Sequence, residues 1–359
     1  MIDAALIPYL SLYLAAGLPG LLGGKSWKRV GWPIVWMIFV LFIGLRHQIG
    51  GDWGTYVAKA ERLSELSFVD AILVQDPLFS ALSWISSAVG LGVYGANLVG
   101  AAVFCTGLFS FCARQSNRWL ALCAATPFLV VASVMSASRQ GIAIGVFLLV
   151  VSYWKELSLR RRVIGIVIAG LFHSSAFVFL ILTIVDLRIG VIRKALLATL
   201  AVAGTLWLMS ISETGLTRYT ELYVLNQTAN SPGALFHLML NLVPALAMLM
   251  TRKWWANALP NWPLLQILCY MAVAMVFLVP FYSQAVGRMS LYLFPVSITF
   301  FACLPLMTKN SAGRTLVRLG SVISLMIVLA VWVGFSNQSY AYRPYQNVIT
   351  TNSDELDLR

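Results

Sequence analysis

The sequence predicts an all-helical protein that crosses a membrane many times. Hydrophobic residues make up 60% of the 359 positions and charged residues only 11%, whereas about a quarter of the residues in a soluble domain are charged. Mean hydropathy is +0.83. Apolar runs also recur along the whole chain, at close to the ~20 residues that one helical crossing requires. We therefore expect residues 1–359 to form a single integral membrane domain.

Ten full crossings are expected from these runs. They lie at about 6–22, 30–45, 93–112, 120–135, 142–154, 195–211, 234–250, 264–282, 289–307 and 319–335. The first run has no basic leader and no clear cleavage site, so it is predicted to be a retained span.

The charge balance predicts the orientation of these spans. The chain has 25 Lys and Arg against 13 Asp and Glu, a formal charge of +12, and basic residues of membrane proteins concentrate on the cytoplasmic side. On this rule residues 46–92, 212–232 and 336–359 form outer segments. Nucleic-acid binding would need a basic face on a soluble fold, so it is excluded. Five cysteines lie in or beside apolar runs without metal-ligand spacing, which predicts buried thiols rather than disulfides, and no metal site.

Two apolar segments do not fit a simple crossing. Residues 78–89 are too short, and their serines recur at helical spacing, so they are predicted to form an amphipathic helix in the outer interface. Asp76 and Pro77 are expected to cap its start. Residues 163–185 are interrupted by His173 and two serines. A helix pair broken at 172–175 keeps the following basic cluster on the inside, so a broken pair is preferred to a straight span.

Three arginines stand out because they oppose the positive-inside bias. Arg46, Arg139 and Arg288 lie at predicted outer ends of spans. Charged groups at that depth persist where they line a cavity, pair with each other or bind a ligand. The planar guanidinium pairs two oxygens at once, so three of them suit a phosphate ester. Each one alone is better explained as an interfacial anchor.

Asp52 and His173 are the candidate catalytic residues. The carboxylate of Asp52 is a general base, an acceptor for a sugar hydroxyl, or the ion-pair partner of Arg46. His173 is a base whose neutral form accepts a proton near neutral pH, or an intramembrane histidine bonded to a backbone carbonyl. Because a neighbouring cation stabilises a carboxylate and weakens it as a base, we expect His173 to be the base and Asp52 to orient the acceptor or to hold Arg46 in place.

Motifs for external activation of a substrate are missing from the sequence. It has no Walker motif, no H-E-x-x-H, no G-x-S-x-G and no acid pair suited to a nucleotide–metal complex. A reaction at the outer face would therefore use a substrate that carries its own leaving group, and no cofactor is expected.

Four motifs, in order and spacing, resemble the EpsG-like branch of the Wzy-type polysaccharide polymerases. They are Arg46-x-x-x-Gly50-x-Asp52-x-x-x-Tyr56, then Asp76-Pro77-Leu78-Phe79, then Ser138-Arg139-Gln140-x-Ile142-Ala143, and Leu171-Phe172-His173-Ser174-Ser175-Ala176. Weaker similarity continues through Arg288-x-x-x-Tyr292 and Tyr342-Arg343-Pro344-Tyr345. Asp76 departs from the family pattern, which often has Glu before the proline, and this argues against a specific catalytic role for the acid.

The resemblance implies a bacterial inner-membrane glycosyltransferase with a GT-C-like bundle and a periplasmic active face. Such enzymes transfer a growing chain from undecaprenyl pyrophosphate to a lipid-linked repeat unit, with inversion and without a metal, in O-antigen or exopolysaccharide synthesis. It implies catalytic roles for His173 and Asp52 and pyrophosphate binding by Arg46, Arg139 and Arg288. It also implies substrate contacts for three further residues, Tyr56, Gln140 and Tyr292. The implied partners are lipid-linked glycans and membrane lipids, with chain-length regulator and flippase proteins as further candidates.

Two other classes remain open at this stage. A flippase or transporter of lipid-linked sugars would tolerate loss of His173 or Asp52 singly. An O-antigen ligase-like transferase would deliver the chain to lipid A core instead of to another repeat unit.

Overall fold

The computed structural model describes residues 4–22, 31–74, 76–185 and 233–352, with isolated positions between 187 and 204. The predicted crossing at 195–211 lies mostly outside the described residues. The predicted loop at 212–232 and the end of the tail, 353–359, lie wholly outside them.

The described residues are helical, apart from turns and one isolated bridge between Arg46 and Asn347. The first half of the chain forms α1 (Ile7–Leu22), α2 (Gly31–Gly44), α3 (Trp53–Ser64), α4 (Phe68–Val74), α5 (Pro77–Ala88), α6 (Gly92–Ala113), α7 (Arg118–Ala125), α8 (Ser138–Ser152), α9 (Leu159–Phe172) and α10 (Ile181–Val185). The second half forms α11 (Ala234–Met250), α12 (Arg252–Ala258), α13 (Trp262–Ser290), α14 (Phe294–Cys303) and α15 (Ser311–Phe335). The predicted all-helical class is confirmed for this part of the chain.

The described residues include three helical stretches that are long and apolar enough to cross a membrane. They are Gly92–Ala113, Trp262–Met307 and Ser311–Phe335, and the pair α11–α12, bent by 90°, would make a fourth. Several shorter apolar helices, among them Gly31–Gly44 and Ser138–Ser152, have 10–17 residues. The composition of a membrane protein is thus confirmed. Within the described residues, length and composition support three or four crossings, and the ten expected from the sequence stay a prediction.

Helices α6 and α8 form the closest packing of the bundle. Gly107 on α6 and Gly145 on α8 face each other so closely that a Cβ added to Gly107 would meet the backbone oxygen of Gly145. A Cβ added to Gly145 would meet the backbone of Phe104. The two glycines allow this approach because they have no side chain, and they fix where α8 begins relative to its neighbours.

The segment that precedes α5 is more ordered than the sequence indicated. Residues 46–92 were expected to contain one helix, at 78–89, and the structure has α3 and α4 before it. Helix α3 has mixed charge, but it buries one face, formed by Trp53, Tyr56, Ala60 and Leu63. That face packs over α5 and α6, so tertiary contacts stabilise a helix that no apolar run predicts.

The predicted break at His173 is confirmed. Helix α9 ends at Phe172, and His173 is extended, with φ −158° and ψ 117°. A 3-10 helix, Ser174–Leu180, follows, and α10 lies back against α9. The ring of Phe177 also packs against Gly170, so the chain doubles back at this point.

The two ends of the bundle differ in character. The starts of α6 and α8 and the end of α9 lie together at one end, which we call the site end. Arg114, Lys155 and Glu156 lie at the other end, where Arg114 pairs with Glu156. The five cysteines are buried and form no disulfide, as predicted.

Candidate functional site

Asp76 is the centre of the polar cluster at the site end. It precedes Pro77, the first residue of α5, and has a left-handed backbone with φ 48°. Asp76 occupies the N-cap position and Pro77 begins the helix, as predicted, but the side chain of Asp76 makes no capping hydrogen bond to the first turn. In this backbone conformation the carboxylate, only 3% exposed, instead faces α8 and the break after α9.

The carboxylate of Asp76 contacts three groups from distant parts of the chain. Arg139 donates from Nη1 to Oδ2 at 2.7 Å. The backbone N–H of Ser174 donates to Oδ1 at 3.3 Å. The ring Nδ1 of His173 lies 3.8 Å from Oδ2, beyond hydrogen-bond distance in this structure. One buried acid thus joins α5, α8 and the broken helix pair.

His173 is held at the break with one ring nitrogen turned inward. Its backbone N–H donates to Ala169 and its carbonyl accepts from Ala176, so the main chain is satisfied on both sides. Nδ1 is buried and has no hydrogen-bond partner among the described residues. The side chain keeps 13% of its exposure, which belongs to its other atoms. The imidazole therefore has its Nδ1 edge on Asp76 and another edge toward the surface.

Helix α3 brings an aromatic ring and a cation to the same cluster. The hydroxyl of Tyr56 accepts from the backbone N–H of Arg139 at 3.3 Å, and the Arg139 guanidinium lies 5.9 Å from the ring centroid. Lys59, one turn later on the same face, places Nζ 5.4 Å from the ring centroid of Phe79. Tyr56 thus contacts Arg139 directly, and Lys59 lies on the same face of α3.

The junction between α13 and α14 closes the other side of the cluster. Gln140, next to Arg139, donates from Nε2 to the backbone oxygen of Arg288 at 2.7 Å. The Arg288 side chain is exposed, and its charge acts on His173. The hydroxyls of Tyr292 and Ser175 lie 3.1 Å apart. Gln140 and Tyr292 are therefore already engaged with neighbouring groups, whereas the Arg288 guanidinium faces outward.

Arg46 lies close to this cluster but inside the bundle. Its residue exposure is 2%, and its guanidinium donates to the backbone oxygen of Ile43, to Oδ1 of Asn97 and to Oγ of Ser138. Ser138 in turn donates to Asn97. Because Ser138 is the first residue of α8, Arg46 anchors the turn that presents Arg139.

Asp52 lies on the exposed rim, apart from Asp76 and His173. Its backbone N–H donates to Oγ of Ser136 at 3.3 Å. It occupies the N-cap position of α3, and its side chain makes no capping bond. The position beside the polar cluster is compatible with an acceptor-orienting role, which stays a prediction.

The C-terminal tail covers the loop that carries Arg46. Backbone bonds join His47 to Gln346, Val348 to Leu45 and Gly50 to Ala341. The ring of Tyr345 stacks on Phe42 with 4.2 Å between centroids. Gly50 needs its missing side chain here, because φ is +103° and an added Cβ would meet the backbone of Met135. The tail therefore holds the Arg46 loop against the residues that precede α8.

Burial and charge set the ionisation of the two groups outside the apolar helices. Burial alone raises the pKa of Asp76, but the nearby His173, Arg139 and Lys59 outweigh it and hold the pKa below its ordinary value. Burial, followed by the charge of Arg139, lowers the pKa of Lys59 to about 8. Near neutral pH the cluster thus has three cations, Lys59, Arg139 and Arg288, against one carboxylate. Such an excess of positive charge is suited to an anionic ligand.

Sequence reasoning missed two members of the cluster. Asp76 was set aside because its family counterpart is often Glu, yet the structure gives it the central contacts. Lys59 was not singled out, because it lies in a stretch of mixed charge. The one sequence signal for Lys59 is its spacing of three residues from Tyr56, which places both on one helical face.

Fold and site together define a class of protein. The chain is a helical membrane protein that holds an interlocked Asp–Arg–His cluster, with excess positive charge, at one end of its bundle.

Comparison with known families then identifies the chain more closely. The sequence profile of the EpsG family matches residues 29–347, so the chain belongs to the EpsG family. This membership indicates a polysaccharide polymerase-like function and agrees with the resemblance of the four motifs. No significant match is found among curated proteins or among solved structures.

Proposed function

We propose that this protein polymerises lipid-linked oligosaccharide repeat units at the periplasmic face of the bacterial inner membrane. The donor is a glycan chain on undecaprenyl pyrophosphate, and the acceptor is a single lipid-linked repeat unit. The observation that carries the proposal is the interlocked cluster of Asp76, Arg139 and His173 at the site end of an EpsG-family bundle. It combines a base with cations beside it, which is what displacement of a pyrophosphate requires.

The orientation follows from the distribution of basic residues. The end of the bundle opposite the site carries Arg114, Lys155, Arg252, Lys253 and Arg314, and such clusters remain in the cytoplasm. The site end then faces the periplasm. In this arrangement the shorter apolar helices complete the ten crossings expected from the sequence. The bundle is then GT-C-like, with the shorter helices packed among their neighbours.

The reaction is a single displacement at the anomeric carbon. A hydroxyl oxygen of the acceptor forms a bond to that carbon while the bond from carbon to pyrophosphate oxygen breaks, with inversion. His173 takes the hydroxyl proton, and the lipid pyrophosphate leaves with the bonding electron pair. Arg139 and Arg288 stabilise the negative charge that develops on it.

Asp76 orients the base in this scheme. With a carboxylate 3.8 Å from Nδ1, the proton of the neutral imidazole is favoured on Nδ1, which leaves Nε2 as the acceptor. The gap between the Asp76 carboxylate and Nδ1 can shorten to a hydrogen bond when substrate binds. Asp52, on the rim, orients the acceptor sugar, while Tyr56, Gln140 and Tyr292 shape the pocket around the two substrates.

The test is polymerisation by the purified protein in nanodiscs supplied with lipid-linked repeat unit. A ladder of products on a gel is expected from the wild type. His173→Gln should lose turnover and keep affinity for the donor, whereas Asp52→Asn should retain part of the activity. Wild-type turnover should fall below about pH 6.5, or at a somewhat lower pH, because a protonated imidazole cannot accept a proton.

Three results would each change the proposal. A dead Asp52→Asn variant beside a normal His173→Gln variant would exchange the two roles. Transfer to lipid A core in place of repeat unit would indicate a ligase. Movement of lipid-linked sugar without any product would indicate a flippase.

A further inference from the structure

Lys59 is a member of the cluster that has no role in the proposed displacement reaction. It lies on α3 between Tyr56 and Leu63, two residues of the buried face, and its Nζ atom is buried. Nζ has no hydrogen-bond partner in the described part of the chain. Its contact with the Phe79 ring, 5.4 Å from the centroid, compensates a desolvated ammonium only in part.

The nearby carboxylate of Asp76 makes no hydrogen bond to Lys59. Oδ2 of Asp76 accepts from Arg139 at 2.7 Å, and Oδ1 accepts from the N–H of Ser174. Arg139 and Lys59 therefore compete for one acid, and Arg139 holds it. A buried cation without a partner lowers stability. An anion that enters the site supplies that partner and so gains binding free energy.

We propose that Lys59, together with Arg139, forms a subsite that binds the diphosphate of the lipid-linked substrate. The subsite rests on the proposed function for the identity of its ligand and deepens it. Arg139 offers a flat guanidinium whose planar fork matches phosphate oxygens, and Lys59 adds a point charge from α3. Two cations on two different helices, α3 and α8, suit two linked phosphates better than one.

The groups around Lys59 give the subsite a defined dependence on pH. Burial and the charges of Arg139 and Arg62 favour loss of its proton, and Asp76 opposes this. With the pKa of Lys59 at about 8, the ammonium is charged at neutral pH and loses its charge as the pH rises through 8. The second ionisation of a phosphate lies at about pH 6, so the ligand keeps its charge over that range. Affinity for a diphosphate should therefore fall between about pH 7 and 9 in the wild type.

The experiment measures binding of farnesyl diphosphate, a short soluble prenyl diphosphate, to the full-length protein in nanodiscs from pH 6.5 to 9.5. Lys59→Met should weaken binding about tenfold or more at pH 7, the usual scale for one charge-assisted contact, and should abolish the fall with pH. Lys59→Arg should bind at pH 7 and remain insensitive to pH, because a guanidinium keeps its proton. Lys155→Met, the same substitution at an exposed position of the opposite end of the bundle, is the matched control and should behave as the wild type.

Thermal unfolding separates this subsite from a structural role. Lys59→Met removes a buried unpaired charge and keeps the length of the side chain, so the melting temperature should stay equal or rise while binding is lost. A lower melting temperature with unchanged affinity would assign Lys59 to packing against Phe79 and overturn the proposal. Equal affinity in the wild type and Lys59→Met would overturn it as well.

The same data distinguish failure of this inference from failure of the proposed function. A protein that binds the diphosphate in the expected manner but forms no polymer retains the subsite and loses the polymerase assignment. A protein that polymerises while Lys59→Met binds normally retains the assignment and loses the subsite. A diphosphate that binds neither protein overturns the subsite, whatever the polymerisation assay gives.

Discussion

At the scale of single residues, the charged side chains at the site end fall into two groups. The guanidinium of Arg46 is surrounded by backbone, amide and hydroxyl oxygens within the bundle. The positive charges of Lys59 and Arg288 make no contact with those oxygens, and His173 exposes one edge of its ring. The first kind of residue stabilises the turn before α8, and the second is available to a ligand. Substitution of Arg46 should therefore lower stability first, whereas substitution of a residue in the second group should first lower binding or activity.

Asp76→Asn should reduce polymerisation by about 10- to 100-fold, because a neutral amide lacks the negative charge that holds Arg139 and the Nδ1 edge of His173. The cations around Asp76 lower its pKa, so its contribution to stability is fully present above the ordinary carboxyl pKa of about 3.9. That contribution is lost only as the pH falls through the lower value in the folded state. In an Asp70→Asn control, at an exposed position, the dependence of the polymerisation rate on pH between about 5 and 8 should match that of the wild type. Full activity in Asp76→Asn would remove the acid from the site.

Arg46→Lys should reduce stability before it affects substrate affinity. A lysine ammonium cannot reach Ile43, Asn97 and Ser138 together in the planar geometry of a guanidinium. We expect a loss of about 2–4 kcal/mol in the free energy of unfolding, read as a lower melting temperature in detergent. Any protein that remains folded should bind the donor with near-normal affinity. Normal stability with lost donor binding would instead make Arg46 a pyrophosphate ligand.

At the scale of helices, hydrophobicity predicted position better than it predicted role. The run at 93–112 became Gly92–Ala113, and 234–250 became Ala234–Met250, because a long apolar helix is defined by its own sequence. Helices α3 and α4 were missed because packing, not apolar length, stabilises them. The contact between Asp76 and Arg139 spans 63 positions, and no local pattern encodes such a pairing. The broken helix was predictable because His173 and its serines interrupt an apolar run.

The packing of α6 on α8 should control the site from a distance. Gly145→Ala places a methyl group against the backbone of Phe104, so α8 must move and carry Arg139 with it. We expect a loss of about 1–3 kcal/mol in the free energy of unfolding, the usual cost of overpacking, together with reduced polymerisation. Gly320→Ala on α15 meets no atom within 4 Å and should be neutral or slightly stabilising. Equal melting temperatures in the two variants would show that the α6–α8 contact is not tight.

At the scale of the whole molecule, one end of the bundle collects the site and the other collects the basic loops. The tail supports this division, because it returns from the end of α15 to cover the Arg46 loop and joins it through backbone bonds. The chain thus brings its N-terminal half and the tail residues 341–348 to the same face. Every group in the proposed reaction then lies on one side of the membrane, which a transfer between two lipid-linked substrates requires.

Cysteine labelling tests this arrangement directly. In a background with the five buried cysteines replaced by alanine, Gly54→Cys and Tyr340→Cys should react with an impermeant maleimide from the periplasm. Ser158→Cys, Gly190→Cys and Ser311→Cys should react only after the membrane is opened, because these exposed positions lie beyond the opposite end of the bundle or after the break. Position 190 is decisive, since a straight helix through His173 would carry it to the outside. Periplasmic labelling at this position would mean that every later helix has the opposite orientation and that Arg288 lies on the other side from Arg139. The hydrogen bond from Gln140 to the backbone of Arg288 argues against such a separation.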